Sequence, residues 1–167
     1  MRWIGTFLML CLVCTFASNV PAAELPTKKI LTLDAAKQVA AAAETEAKRR
    51  GSTVVIVVVD DGGHVLLLER LDDTQVASVE VGIGKARTAA IFRRPSKDFE
   101  DQVRNGRVAA LALPGATPLQ GGIPIVVDGK VLGAIGVSGN TPQEDEDIAK
   151  VGAAAISTFS LSRGGGQ

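Results

Sequence analysis

Lys85 and Thr88 stand three residues apart in Gly84-Lys85-Ala86-Arg87-Thr88, a stretch with helical patterning, so an ammonium and a hydroxyl share one helix face. Such a pair can hold a carboxylate. If Gly121 and Gly122 expose their backbone N–H groups nearby, they complete an anion pocket. The competing reading is that Lys85 pairs with Asp72 or Glu80 and braces its helix. Arg70 and Asp72 read as an ion pair of structural use, and Asp145 as a first-turn helix carboxylate favoured by the dipole. His64 is the sole histidine, the one imidazole available for proton transfer or metal ligation.

Several other chemistries fail on spacing. Gly133, Gly136 and Gly139 lie along and just beyond a strand pattern, with no GK[ST] after them, so they are not a phosphate loop. Glycines inside a strand permit close backbone approach, here to a helix or a ligand. Ser138 and His64 belong to different hairpins and no G-x-S-x-G elbow exists, which argues against a hydrolytic triad. One histidine, with no cysteine in the mature chain, leaves only carboxylates for zinc.

The elements that must position these residues are legible from periodicity. Thr32 caps a helix running to about Arg50, and Gly51 stops it. Its stripe, Ala36, Val39 or Ala40, Ala43 and Ala47, consists of small residues, so it can lie close to what it covers. Lys48-Arg49-Arg50 suits the helix C-terminus. Thr53 to Val59 is a β-branched run, as in a strand buried on both faces. Asp60 to Gly63 turns the chain, and His64 to Glu69 returns.

Val76 to Phe92 is helical, with Val79, Ile83, Ala86 and Ala90 as its stripe. Arg93-Arg94-Pro95 breaks it, and Ser96 caps a short helix to about Val103. Leu111 to Gly122 reads as a loop. Ile123 to Val127, the turn Asp128-Gly129, and Val131 to Val137 form a second hairpin. A last helix runs from near Gln143 to Ser157. The order α-ββ-α-α-ββ-α predicts an antiparallel sheet of two hairpins covered by helices, an α/β (α+β) fold.

Residues 1–23 read as a secretory signal peptide: Arg2, an apolar run from Trp3 to Ala17, then small residues to Ala22-Ala23. The run is shorter than a membrane span needs, and an uncleaved anchor is the competing reading. Residues 24–161 then form one domain and 162–167 a disordered tail. Removal of residues 1–23 leaves 144 residues without sulfur, because Cys11, Cys14, Met1 and Met9 all lie in the leader. The expected destination is the periplasm or the exterior, with stability coming from the core rather than disulfides. The mature chain carries 17 basic and 18 acidic side chains. No basic block is interleaved with aromatics, which argues against nucleic acid as a partner.

Five stretches taken together resemble the GlcG/HbpS-like family, which includes the C-terminal domain of PduO-type proteins. They are Asp60-Asp61-Gly62-Gly63-His64, Arg70-Leu71-Asp72, Lys85-Ala86-Arg87-Thr88-Ala89, Gly121-Gly122-Ile123-Pro124-Ile125 and Gly133 to Gly139, followed by Asp145. The likeness runs from Leu31 to about Ala155. It implies a profilin-like α/β/α sandwich, a homo-oligomer and, for some members, haem binding with proposed haem degradation. Other members accompany glycolate or corrinoid metabolism.

In the mature chain His64 is the only ordinary axial ligand for haem iron, since cysteine, methionine and tyrosine are absent. Two histidines cannot come from one subunit. The family varies at the position matching His64, so a plain surface histidine is the competing reading. Lys85, Arg87 or Arg94 would hold the haem propionates. The leading expectation is an exported haem-binding protein that sequesters or carries haem, with slow degradation as an added activity. The alternatives are a small organic acid bound at Lys85, Thr88 and Gly121-Gly122, or a non-catalytic oligomeric accessory subunit.

Overall fold

The computed structural model describes residues 23–163, with side chains through Ile156. Residues 1–22 of the expected signal peptide and 164–167 of the expected tail lie outside the described residues. Four helices and four strands follow the chain as α1 (Leu33–Arg50), β1 (Val55–Asp60), β2 (Val65–Arg70), α2 (Ser78–Phe92), α3 (Lys97–Arg104), β3 (Gly122–Val127), β4 (Lys130–Ser138) and α4 (Pro142–Arg163). A 3-10 turn, Val108–Ala112, precedes β3. The strands form one antiparallel sheet in the order β2-β1-β4-β3, so each hairpin contributes one central and one edge strand.

The sheet is covered on both faces. From Val54 to Val59 every side chain is fully buried, which explains the unbroken β-branched run. Val54, Ile56 and Val58 join the core under α1 and α4, while Val55, Val57 and Val59 meet Ala86, Ala89 and Ala90 of α2. The expected α/β/α sandwich is the observed architecture.

Local signals explain most boundaries. The Thr32 hydroxyl accepts the Ala35 N–H at 3.2 Å, and Gly51, at φ 68°, ends α1 by donating its N–H back to the last turn. Asp128 and Gly129, both at positive φ, make the tight turn of the second hairpin. Three expectations need correction. Ser96 does not cap α3; its hydroxyl donates to the Leu119 carbonyl at 2.6 Å and accepts the Gly122 N–H at 2.8 Å, pinning the loop before β3. The last helix runs past Ser157 to Arg163, so it takes in two residues of the expected tail.

The third correction is a partial rotation. Of the stripe expected on α2, Ala86 and Ala90 are buried and Val79 and Ile83 pack half-buried against the same cluster, but the buried face also takes in Gly82, Lys85 and Ala89. Small residues win because the helix rests backbone to backbone on β4. A Cβ added at Gly136 would strike the Gly82 carbonyl and stand 2.6 Å from the Ala86 nitrogen. The opposite layer repeats the device where α4 crosses α1. There a Cβ at Gly152 would lie 2.9 Å from the Val39 carbonyl oxygen and 3.1 Å from Ala43 Cβ. No helix among the described residues is long and apolar enough to cross a membrane.

Because the atoms facing Gly136 are helix backbone, Gly136→Ala must push α2 off the sheet. The expected loss is about 1–3 kcal/mol of unfolding free energy, the usual range for overpacking a core. Urea denaturation measures it, and a variant as stable as the parent would mean that the helix retreats without cost.

Candidate functional site

Lys85 is buried on α2, with a side chain only 5 % exposed. A buried ammonium needs compensation, and it finds one partner in the last residues of β4 and one in the first turn of α4. Its Nζ donates to the Val137 carbonyl at 3.0 Å and to Asp145 Oδ2 at 2.7 Å. Asp145 lies in the first turn of α4, where its other oxygen accepts the Asn140 N–H at 3.0 Å. Burial pushes the Asp145 carboxyl up; Lys85 and the backbone N–H groups of Asn140 and Gly139 pull the other way and do not fully offset it. The partner of Lys85 is therefore Asp145, not Asp72 or Glu80, and the carboxylate it holds is the chain's own.

Gly121 and Gly122 do lie beside Lys85, as the anion-pocket reading expected. Lys85 Nζ would be 2.9 Å from a Cβ at Gly121, and a Cβ at Gly122 would strike the Lys85 carbonyl. The glycines admit β3 to this helix, but the Gly122 N–H is already given to Ser96 Oγ. Thr88 is likewise engaged. Its hydroxyl donates to the Gly84 carbonyl at 2.7 Å and accepts the Thr117 N–H at 2.7 Å, fastening the loop before β3 to α2. Lys85 thus lies beside both glycines, while Lys85, Thr88 and Gly122 each bond to other parts of the chain. What the sequence reading missed is the Asp145 partner; the signal was a carboxylate at the start of a helix opposite a lysine that only an anion could neutralise.

Arg70 and Asp72 border one open cleft of about 570 Å³ with Glu44 and Lys48, yet the expected ion pair between them is absent among the described contacts. Arg70 instead donates to the Thr74 carbonyl, at 2.8 Å from Nη2 and 3.2 Å from Nε, and closes the turn after β2. Arg94 lies over the Phe99 ring with Cζ 4.1 Å from its centroid, a cation–π contact that fixes the guanidinium beside α3.

His64 stands apart from these. Its side chain is 80 % exposed at the exit of the first hairpin turn, and Nδ1 lies 3.3 Å from Asp60 Oδ1. The same Asp60 oxygen accepts the N–H groups of Gly62 and His64, both at 2.9 Å. Burial raises the Asp60 carboxyl, but these N–H donors and the nearby imidazole outweigh it and hold the group below its usual range. An ionised carboxylate at Nδ1 favours the tautomer with its proton there, leaving Nε2 as the free lone pair. The turn rests on α2: a Cβ at Gly63 would stand 2.8 Å from Arg87 Cγ and 3.2 Å from Ile91 Cγ2.

Replacing Lys85 by Met leaves Asp145 buried without its counter-ion, which costs roughly 3–5 kcal/mol near neutral pH. The pH dependence has a definite sign. Asp145 then has a folded pKa still further above its unfolded value, so the folded state binds more protons in the window between them. The variant's deficit relative to the parent therefore shrinks as pH falls from the raised pKa toward the ordinary carboxylate range. Urea midpoints of both proteins across pH 4–8 measure this, and a pH-independent gap would show that Asp145 is not the group left unpaired.

Known proteins agree with this architecture. The family model described as "Haem degrading protein HbpS-like" matches residues 31–154. Protein GlcG of Escherichia coli strain K12 is 44 % identical over 114 residues, spanning 68 % of this chain and 85 % of that protein. The crystal structure of HbpS superposes with a TM-score of 0.74 at 33 % identity, covering 80 % of this chain and 94 % of the other. The crystal structure of a PduOC–haem complex gives 0.70 at 27 % identity, covering 77 % and 96 %. With its sandwich, its paired hairpins and most of its length matched, the chain belongs to the HbpS-like family.

Proposed function

We propose that this is an exported, homo-oligomeric haem-binding protein that sequesters or carries haem, with His64 as the iron ligand. The observation that carries the reading is the exposed imidazole whose Nδ1 faces Asp60, because ligating histidines characteristically give their second nitrogen to a carboxylate. The residues around it fit a porphyrin in kind. Val65, 45 % exposed, and Ile91, 37 % exposed, offer apolar surface near the turn, and Arg87 offers a cation for a propionate. Arg94, engaged with Phe99, is the less available partner. Haem would supply the iron and its redox chemistry; the chain's part is to present Nε2, hold its tautomer and shield one porphyrin face.

Support also comes from the relatives: the family model names haem degradation, and one solved relative is a haem complex. Export rests on the leader-like residues 1–23. Self-association is favoured by exposed apolar side chains around the 3-10 turn, Val108 at 66 % and Leu111 at 61 %.

A second reading, favoured by the similarity to Protein GlcG, is a small organic acid at Lys85, Thr88, Gly121 and Gly122. It requires Asp145 to release the ammonium to the ligand. A carboxylate that raises the melting temperature of the parent but not of Lys85→Ala would select it.

Hemin titration followed in the Soret region tests the haem reading. The parent should show a saturable, stoichiometric shift that His64→Ala loses. Asp60→Asn keeps the oxygen that accepts the turn N–H groups but removes the charge, and should weaken binding about tenfold. An unchanged Soret titration in His64→Ala would remove His64 as ligand.

A further inference from the structure

The segment before α1 lies across the tips of both hairpins. Lys28 pairs with Asp61 of the first tip, and Lys29 Nζ is 2.6 Å from Asp128 Oδ2 of the second. Leu31, 5 % exposed, seats the end of this arm, close to where a Cβ at Gly133 would stand. Under the arm is a cleft of about 520 Å³. Val131 and Leu132 provide its apolar lining, and Arg93 and Lys130 stand at its wall.

The charge of this cleft is unbalanced. Lys28 and Lys29 already have aspartate partners, whereas Arg93 and Lys130 have no ion pair among the described residues. Asp128 is held below its usual range chiefly by Lys29 and only weakly by Lys130. Arg93 is also conformationally costly. It is the C-cap of α2 at φ 56°, ψ 37°, a left-handed position where glycine or asparagine is the usual residue. A cation there suits the helix dipole, but the dipole does not account for a walled cleft with an apolar lining.

We propose that this cleft binds a small organic anion, its carboxylate or phosphate oxygens on Arg93 and Lys130 and its apolar body against Val131 and Leu132. The volume falls in the range of small-molecule sites and far exceeds what an inorganic ion fills. The two cations supply orientation, and the arm, held by its two ion pairs, lines the same cleft through Pro26 to Lys29 beside Asp61. Neither His64 nor Lys85 lines this cleft, so the site is separate from both readings above.

Three probes test it on the ¹⁵N-labelled protein: phenyl phosphate, benzoate and inorganic phosphate. Saturable shifts of the Val131, Leu132 and arm amides are expected with at least one aromatic probe, and inorganic phosphate should bind much more weakly. The aromatic probe preferred identifies the anionic group. Arg93→Gln combined with Lys130→Gln, both exposed positions, should weaken that binding about tenfold or more. Equal affinity in the double variant, shifts that map elsewhere, or no saturation by about 10 mM would overturn the proposal. None of the probes carries iron, so failure here is distinct from failure of His64 as a haem ligand.

Discussion

Lys85 begins on the helix that covers one face of the sheet and ends on a carboxylate of the helix that covers the other. Its ammonium joins α2 to the last residues of β4 and to the first turn of α4. Gly121 must be a glycine for β3 to pass this point, since a Cβ would crowd both the ammonium and the Val137 carbonyl. A buried ion pair is poor as a source of net stability, because desolvation cancels much of the attraction. Its value lies in exclusion. Any arrangement that separates α2 from α4 strands two charges, so the pair selects one packing of the two layers over near alternatives.

The pair also depends on how near α2 approaches the sheet. Gly82 and Ala86 on the helix and Ala134 and Gly136 on the strand put backbone against backbone, which brings Lys85 level with the strand end. Larger residues would lift the helix and leave the ammonium short of Asp145. The loop before β3 is fixed by the same helix through Thr88 to Thr117, and by the start of α3 through Ser96 to Leu119 and Gly122. Polar side chains that resemble a ligand pocket thus serve as fasteners between segments that have few apolar residues to hold them.

This explains what was legible in the sequence and what was not. Strand order within each hairpin, the caps Thr32 and Gly51 and the buried run of β1 follow from local pattern, and the structure keeps them. The orientation of α2 was legible only in part: Ala86 and Ala90 face the core as their spacing predicts, but alanine and glycine can face either way, and the turn toward Gly82 and Ala89 follows from the close approach of Gly136. The partner of Lys85 was not legible, since Asp145 is 60 residues away and the choice depends on how the two hairpins join. The residue reading placed Lys85 beside Gly121 and Gly122 correctly, but proximity and chemistry separate here: the Lys85 ammonium is taken by Asp145 and Val137, and the Gly122 N–H by Ser96.

His64 presents the opposite case, a residue with unused capacity. An imidazole that is 80 % exposed cannot enclose iron, so a haem bound there keeps one face toward solvent or toward a neighbouring subunit. Oxidative chemistry on a porphyrin is best controlled where water is excluded, which an open turn on a single chain does not achieve. Carriage and sequestration ask less, since they need only a ligand, a shielded face and a route for release. If copies of the chain assemble with their exposed apolar patches covered, the open side of the turn could be closed by a partner, and a second axial ligand would then have to come from that partner. On the haem reading, the single histidine thus links the question of catalysis to that of assembly: one chain offers one imidazole, and enclosure of the iron requires a neighbour.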